Sequence, residues 1–178
     1  MGRKPTISRD RLLDLAEEIV CSGGGSALTI GALAQAAGIS KGGVQYSFAT
    51  KDDLVRAVID RWTSQFDAML GDDAAEDPVT FVRRYIAATR ASQQAMNAKV
   101  AGLLVSYLED PVNLSETRDW YLGIFRRLSG ASPDAQAARV AFLAVEGLFL
   151  MRMNGIDEDG TWTDFLDDVE AILARLAG

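Results

Sequence analysis

The fold is decided by the stretch LTIGALAQAAGISKGGVQYSFATKDDL, residues 28–54 of the chain. Thr29 is a good helix N-cap and apolar residues follow it at the spacing of one helix face, so a short helix is predicted after Thr29. Those apolar residues are Ile30, Leu33, Ala34 and Ala37. Gly38 can adopt the left-handed conformation that ends a helix, and Ser40 can cap a second one. The stretch therefore predicts two short helices joined by a tight turn, the second over about residues 41–47.

A longer helix is predicted on each side of this pair. The first begins near Ser8 and ends in the glycine run 23–25, where no helix continues. Its core face consists of Leu12, Leu15, Ala16 and Ile19. After the pair, residues 50–53 (TKDD) resemble a capping box with Asp in place of Glu, which opens a long helix. The apolar stripe of that long helix is Val55, Val58, Ile59, Trp62, Phe66 and Met69.

The two short helices meet the steric requirements of a helix-turn-helix. Ala34 is small enough for the helices to cross closely, and Gly38 permits the tight turn. Ile39 and Val44 are apolar and hold the second helix by one edge. The outer face of that helix is then free to enter a DNA major groove.

Residues 38–42 (GISKG) also fit the pattern G-x-S-x-G, the nucleophile elbow of α/β hydrolases. That elbow follows a β-strand and needs a histidine base. Here a helix is predicted before Gly38, and the chain contains no histidine. The glycine run 23–25 lacks the following Lys-Ser/Thr of a phosphate-binding loop, so it is interpreted as a helix stop.

Composition narrows the classes of protein that the chain can be. With 178 residues, 48% of them hydrophobic and 24% charged, it is an ordinary folded protein of one or two domains. The lack of histidine excludes Ser-His and Cys-His catalytic pairs and histidine-ligated metals. A single cysteine, Cys21, excludes an intramolecular disulfide and a multi-thiolate metal site. We therefore expect no metal, no cofactor and no enzymatic activity.

The first ten residues do not resemble a targeting signal. Residues 1–10 lack the apolar segment of a signal peptide, and no apolar stretch approaches the roughly 20 residues that cross a bilayer. A lone cysteine is typical of a reducing compartment. We therefore expect a cytoplasmic protein without membrane association.

The net charge of −7 hides an asymmetry between the two parts of the chain. Residues 1–62 hold eight Lys and Arg against seven Asp and Glu, whereas residues 63–178 hold ten against eighteen. A polyanion would therefore contact the N-terminal third.

The remainder of the chain has the helical period throughout, which predicts an all-α protein with about nine helices. The acidic stretch 71–77 is predicted to be a linker, and Asp77 followed by Pro78 is a strong helix start. The helices predicted beyond it span about 78–94, 96–109, 114–129, 133–154 and 163–177, with breaks at Asn97, Pro111, Ser132–Pro133 and 155–160.

Several segments resemble the N-terminal domain of the TetR (tetracycline repressor) family of bacterial regulators. They are Leu28-Thr29-Ile30, Leu33-Ala34, Ala37-Gly38-Ile39-Ser40-Lys41-Gly42 and Phe48-Ala49-Thr50-Lys51-Asp52-Asp53-Leu54. The resemblance covers roughly the first third of the chain. It implies a homodimer whose third helix enters the major groove, with a helical C-terminal domain that binds a small molecule and dimerises. The sequence differs from the family at Gln45, where an aromatic residue is usual, and at Gly43, where Thr or Ala is common.

With that resemblance we divide the chain into a helix-turn-helix DNA-binding domain, residues 1–50, and a helical ligand-binding and dimerisation domain, residues 51–178. Side chains that can pair with base edges lie on the presented helix. They are Lys41, Gln45 and Tyr46, with Gly42 and Gly43 allowing close approach of the backbone. The predicted phosphate contacts are Thr29, Ser40, Ser47 and Lys51, with Arg3 and Lys4 as a flexible arm. Without the surrounding pattern, the same residues would be interpreted as a solvated surface.

Two further sites are predicted in the C-terminal domain. Polar-tipped aromatic residues are the candidates for an effector pocket, although most aromatic residues there are expected to be core. The pocket residues are Tyr107, Trp120, Tyr121 and Phe125, with Arg90, Gln93, Gln94 and Asn97 as orienting groups. Apolar stripes on the last two long helices predict a dimer interface. The interface residues are Leu143, Gly147, Met151, Leu166, Val169 and Leu173.

The sequence thus predicts a ligand-responsive DNA-binding transcriptional regulator, a repressor released from a palindromic operator on double-stranded DNA by a small-molecule effector. The alternative is a helical protein-interaction adaptor that kept the fold without DNA binding. An enzyme would need a paired acid and base in the C-terminal domain, and none stands out in the sequence.

Overall fold

A computed structural model describes residues 7–72, 76–92, 98–156 and 164–177 of the chain. In these residues every regular element is helical, which confirms the all-α prediction. The nine α-helices described are α1 (Arg9–Gly23), α2 (Ile30–Ala37), α3 (Lys41–Gln45), α4 (Lys51–Leu70), α5 (Pro78–Ser92), α6 (Ala98–Leu108), α7 (Pro111–Arg127), α8 (Pro133–Met153) and α9 (Phe165–Leu176). A short 3-10 helix, Gly25–Ala27, lies between α1 and α2. None of the helices described is long and apolar enough to cross a membrane.

The first helices begin and end where their capping residues predict. The Ser8 hydroxyl accepts a hydrogen bond from the Arg11 amide at the start of α1. Gly38 ends α2 with φ 65° and ψ 28°, a left-handed conformation that glycine adopts at little steric cost. At the start of α4, Thr50 and Asp53 exchange side-chain to backbone hydrogen bonds of 3.0 Å each, so the predicted capping box is confirmed.

The presented helix is shorter than predicted. α3 ends at Gln45, because Tyr46 and Ser47 form a turn instead of continuing it. That turn buries Phe48, whose amide donates to the Val44 carbonyl oxygen at 2.9 Å. The turn leaves the side chain of Tyr46 almost entirely in solvent, with 93% of it exposed.

The hydrophobic core is divided into two clusters. The first joins α1, α2, α3 and the part of α4 up to Ile59, together called here the N-terminal unit, to residues of α6. The α6 residues in this cluster are Val100, Leu103 and Tyr107. The second cluster joins α5, α7, α8 and α9 to the end of α4. α6 therefore shares its core with the N-terminal unit although it lies far along the chain.

α6 passes close to Gly25, the first residue of the 3-10 helix between α1 and α2. A Cβ atom at Gly25 would lie 2.8 Å from the Leu103 backbone nitrogen and 3.0 Å from its Cα atom. Atoms at that distance overlap, since carbon contacts are normally about 3.5–4.0 Å. The absence of a side chain at Gly25 is therefore required for this packing.

One predicted boundary in the C-terminal half is wrong. α7 begins at Pro111, three residues before the predicted start, and Pro111 was expected to break the chain. The Asp110 carboxylate accepts from the Val112 amide at 2.7 Å and caps the helix. Proline at the first helical position needs no hydrogen-bond donor, so it begins α7.

Candidate nucleic-acid interface

α3 is attached to the N-terminal unit by its apolar residues and presents its polar residues to solvent. Val44 is fully buried, and Ile39 packs against the first cluster. Lys41, Gln45 and Tyr46 are exposed. The helix therefore offers a short polar face that a DNA groove can accommodate.

The two glycines of α3 have different surroundings. A Cβ atom at Gly42 would meet only the Ser40 hydroxyl, at 3.9 Å, so this position faces open space. A Cβ atom at Gly43 would lie 3.2 Å from the Ile39 Cδ1 atom. Gly42 is thus the position at which a ligand can approach the backbone of α3 most closely, while Gly43 also serves the packing of Ile39.

The Lys41 and Thr29 side chains both lie near Gly31 at the start of α2. The Lys41 Cε and Nζ atoms lie 3.3 and 3.6 Å from the position of a Cβ atom at Gly31, and the Thr29 hydroxyl oxygen lies 3.8 Å from the same point. The Lys41 side chain therefore extends over the N-terminus of α2. In this position its ammonium group adds a positive charge beside the free amides of a helix start.

The Thr29 and Ser40 hydroxyls both act as helix caps. Thr29 accepts from the Ala32 amide at 3.0 Å, and Ser40 accepts from the Gly43 amide at 3.2 Å. Because each uses its oxygen as acceptor, its O–H remains able to donate to a phosphate oxygen.

A cleft of about 420 Å³ lies beside α3 and contains a basic residue that the sequence analysis missed. Gln45, Tyr46 and Ser47 line it together with Arg9. The Arg9 guanidinium carbon lies 4.9 Å from the centre of the Phe48 ring, which places the charge beside the presented helix. The sequence signal was available, since Arg9 is the residue directly after the Ser8 cap.

The remaining predicted contacts lie apart from α3. Lys51 is the first residue of α4 and lines a second cavity of about 400 Å³ with Gly25, Leu103 and Ser106. Arg3 and Lys4 lie outside the residues that the structure describes.

A polar link connects α4 to α7. Arg56 donates to the Glu116 carboxylate at 3.0 Å and also to the Asn113 side-chain oxygen. The Asn113 amide group donates in turn to the Tyr107 carbonyl oxygen at 2.9 Å. The side chain of Asn113 is buried, so both of its polar atoms obtain partners inside the protein.

Of the predicted effector residues, the structure brings three together and separates the fourth. Trp120, Tyr121 and Phe125 lie on α7, with ring centres 5.0 Å apart for the first pair and 6.4 Å for the second. Tyr107 belongs instead to the first cluster, where burial raises the pKa of its phenol. Arg90 pairs with Asp167 of α9 at 2.5 Å. Gln93, Gln94 and Asn97 lie outside the described residues.

Glu146 on α8 is a further functional candidate, which its sequence context did not indicate. Its carboxylate accepts hydrogen bonds from the Tyr85 hydroxyl and, at 2.5 Å, from the Tyr121 hydroxyl. Burial raises the pKa of both phenols above the usual range, and the negative charge of Glu146 raises them further. A glutamate beside glycine in an apolar helix gave no sequence signal of these two partners.

The predicted dimer residues divide between surface and core. Leu143 and Met151 are exposed on α8, and a Cβ atom at Gly147 would meet no atom within 4 Å. Leu166 and Leu173 are each only 1% exposed, because they pack into the second cluster of their own chain. Their prediction as interface residues therefore needs correction. The exposed apolar residues of α9 are Phe165, Ile172 and Leu176, with Val169 partly buried beside them.

Comparison with known families matches both parts of the chain. Residues 12–58 match the family model described as bacterial regulatory proteins, tetR family. Residues 79–178, more than half of the chain, match the model described as tetracyclin repressor-like, C-terminal domain. The chain belongs to the TetR family. It is therefore a transcriptional regulator with a helix-turn-helix, and regulators of this family generally bind DNA and are not enzymes.

Solved structures share the fold of this TetR-family chain over nearly its whole length. A transcriptional regulator from Rhodococcus sp. Rha1 is 20% identical, with a TM-score of 0.70, and the match covers 96% of each chain. A TetR variant from Acinetobacter baumannii AYE in complex with minocycline is 19% identical, with a TM-score of 0.56 over 97% of this chain and 99% of that one. A possible TetR-family regulator from Streptomyces coelicolor A3(2) is 20% identical, with a TM-score of 0.55 over 95% and 93%. No curated protein matches the chain.

Proposed function

We propose that this TetR-family regulator is a homodimeric repressor that binds a palindromic operator through α3 and is released by a small molecule. The observation that carries the proposal is the presentation of α3, which is anchored by the buried Val44 while Lys41, Gln45 and Tyr46 remain exposed. Residues 1–50 are the proposed DNA-binding domain, and residues 51–178 the proposed sensing and dimerisation domain.

The proposed contacts fall into two groups with different effects on binding. Lys41 and Gln45 read bases, because Lys donates to guanine and Gln pairs with adenine through two hydrogen bonds. Tyr46 lies beside these two residues, and Gly42 and Gly43 allow the α3 backbone to approach the DNA closely. The groups assigned to phosphates are Thr29, Ser40, Ser47 and Lys51, joined now by Arg9. Phosphate contacts position the protein and carry no sequence information directly.

Selection of bound sequences from random double-stranded DNA tests this assignment. A palindromic site is expected, because a two-fold symmetric dimer reads two equivalent half-sites. In binding assays on single-base variants of that site, Lys41→Ala and Gln45→Ala should each relax the preference at particular base pairs by about 1–3 kcal/mol. Lys51→Ala should weaken binding to all variants about equally.

Two results would contradict this assignment. A uniform loss of affinity in the Lys41 and Gln45 variants would refute the base-reading roles. Failure to select any DNA sequence would favour the helical adaptor that lacks DNA binding.

The proposed dimer interface consists of the exposed apolar faces of α8 and α9. On α8 these are Val140, Leu143, Leu150 and Met151, with the open position Gly147 among them. On α9 they are Phe165, Val169, Ile172 and Leu176. Apolar faces of this extent are typical of interfaces between subunits.

Sedimentation at micromolar concentration tests the interface. The wild type should sediment as a dimer of a 19.2 kDa chain, and Gly147→Glu should sediment as a monomer and lose operator binding. Val112→Glu is the matched control, since Val112 is an exposed apolar residue at the start of α7 and is not part of the proposed interface. A monomeric wild type, or monomers of both variants, would contradict the proposal.

The proposed effector is a small, largely apolar molecule that contacts Trp120, Tyr121 and Phe125. The similar fold of the TetR variant solved with minocycline supports a small-molecule site in this architecture. A ligand acts by binding more tightly to the conformation that binds DNA poorly, and operator DNA must then weaken ligand binding by the same factor. Calorimetry of ligand binding with and without operator measures that factor in both directions.

A further inference from the structure

Glu146 lies on α8 beside buried residues of the second cluster, and no cation in the part of the chain that the structure describes pairs with its carboxylate. Among the described residues its polar partners are the hydroxyls of Tyr85 and Tyr121. Both phenols have a raised pKa, so they remain protonated at neutral pH and donate hydrogen bonds. Two hydrogen bonds satisfy the carboxylate oxygens, but they do not neutralise the charge.

Each of the two tyrosines that donate to this carboxylate packs against another aromatic ring. The Tyr85 ring lies 5.0 Å from the ring of Phe142, and the Tyr121 ring lies 5.0 Å from that of Trp120. The faces of such rings attract cations, and this attraction strengthens when water is excluded. The Arg127 guanidinium lies 4.7 Å from the centre of the Phe81 ring, so a ring of this cluster already contacts one cation.

The cluster is accessible from the side of α7. Tyr85 is only 4% exposed, whereas Glu146, Trp120 and Tyr121 are partly exposed and Phe125 is exposed. Glu146, Trp120, Tyr121 and Phe125 are therefore the side chains of this group that a ligand can contact from solvent, whereas Tyr85 is covered.

We infer that the effector carries a cationic nitrogen on an apolar or aromatic frame, and that Glu146 and the α7 rings bind this nitrogen. The inference rests on the proposed function in treating the ligand as the effector. It assigns to Glu146 the negative charge that selects a cation, and to Trp120, Tyr121 and Phe125 the ring contacts. Residues 63–178 hold ten Lys and Arg against eighteen Asp and Glu, so this part of the chain carries a net negative charge. That charge favours the approach of a cationic ligand.

Calorimetry on the full-length protein with two isosteric probes tests the charge directly. The probes are (3-hydroxyphenyl)trimethylammonium and 3-tert-butylphenol, which differ in the replacement of a quaternary nitrogen by carbon. The wild type should bind the cation at least about tenfold more tightly, a difference of about 1.4 kcal/mol. Glu146→Gln should bind both probes with the affinity of the uncharged one, since glutamine keeps the size without the charge, its carbonyl oxygen accepts from one tyrosine hydroxyl, and its amide group donates to the other.

Glu109→Gln is the matched control, because it removes an exposed carboxylate from the same part of the chain, and it should retain the preference for the cation. Equal affinities in the wild type, no binding of either probe at millimolar concentration, or a preference that survives in Glu146→Gln would each overturn the inference. The comparison of the two probes on the wild-type protein tests the preference for the cation even if Glu146→Gln does not fold.

Operator release separates this inference from the proposed function. If the regulator binds a selected operator and an uncharged ligand releases it, while the cationic probe shows no advantage, the inference fails and the proposed function stands. If no operator is selected, the proposed function fails, and the calorimetric comparison still reports whether Glu146 selects a cation.

Discussion

Replacing Gly25 by alanine places a methyl group where α6 passes close to the 3-10 helix between α1 and α2. The new Cβ atom would lie 2.8 Å from the Leu103 nitrogen and 3.0 Å from both the Cα and Cβ atoms of that residue. All three contacts involve backbone atoms or the Cβ atom of a buried side chain, so no flexible chain end can move aside. Restoring normal contact distances requires α6 to move away by roughly 0.5–1 Å.

The free-energy change follows from the position of Leu103 in the first cluster. Leu103 is almost fully buried, and a shift of α6 loosens its packing against α1 and α4. Overpacking of this kind typically destabilises a protein by about 1–3 kcal/mol. The loss of glycine freedom in the unfolded chain offsets about 0.4–1 kcal/mol of that. We therefore expect Gly25→Ala to lower the free energy of unfolding by about 1–2 kcal/mol.

Gly102 supplies a control of opposite sign in the same region. It lies inside α6, and a Cβ atom there would meet no atom within 4 Å. Alanine at such a helix position stabilises by about 0.5–1 kcal/mol. Urea denaturation followed by circular dichroism, at one fixed protomer concentration, measures both variants. Gly25→Ala at or above wild-type stability, or a shift of the same sign in both variants, would refute the packing argument.

Asp77→Ala should destabilise by about 1 kcal/mol at neutral pH, because Asp77 caps α5 through the Val79 and Thr80 amides. Hydrogen bonds from Thr80 lower the pKa of Asp77 in the folded protein below the ordinary value of 3.8. The stabilisation is therefore present above pH 3.8 and is lost as the pH falls through the pKa of the folded state. Urea denaturation curves of wild type and variant should converge in acid. Asn113→Ala should cost about 1–3 kcal/mol in thermal or urea unfolding, because it removes a buried partner of the Tyr107 carbonyl. Glu116→Gln should cost less than about 1 kcal/mol, because its ion pair with Arg56 is exposed. Gly42→Ala should raise stability by about 0.5–1 kcal/mol and weaken operator binding in a gel-shift assay, since the added methyl group faces open space on α3.

Different results would contradict each of these predictions. Asp77→Ala curves that stay apart in acid would exclude ionised Asp77 as the source of the capping energy. A larger effect from Glu116→Gln than from Asn113→Ala would place the main contribution of the α4–α7 link in the ion pair. Unchanged operator affinity in Gly42→Ala would mean that the backbone of α3 does not approach DNA closely there.

Local signals in the sequence predicted the helices of the N-terminal unit well. Thr29, Gly38 and the Thr50–Asp53 pair act through atoms two to four residues away, so their effect can be inferred without the tertiary structure. The predicted start of α7 near residue 114 was wrong, because Pro111 was interpreted as a helix break. Proline both ends and begins helices, and the capping role of Asp110 decides between the two.

Contacts between distant segments could not be inferred from one sequence. The close approach of α6 to Gly25 and the bonds of Tyr85 and Tyr121 to Glu146 join residues that are 25 or more positions apart. The same limit explains Leu166 and Leu173. The spacing of apolar residues on α9 identifies two adjacent faces, but it does not reveal that the face with these leucines packs on its own chain.

The membership of α6 in the first cluster bears on how this protein can be recombined with its relatives. Val100, Leu103 and Tyr107 complete a core otherwise built by α1 to α4. A hybrid that exchanged only the segment before residue 51 would place foreign side chains against these three and against Val55 and Val58. The module that packs as one core is therefore discontinuous, and if α3 reads the operator as proposed, changing its exposed residues alone leaves this core intact.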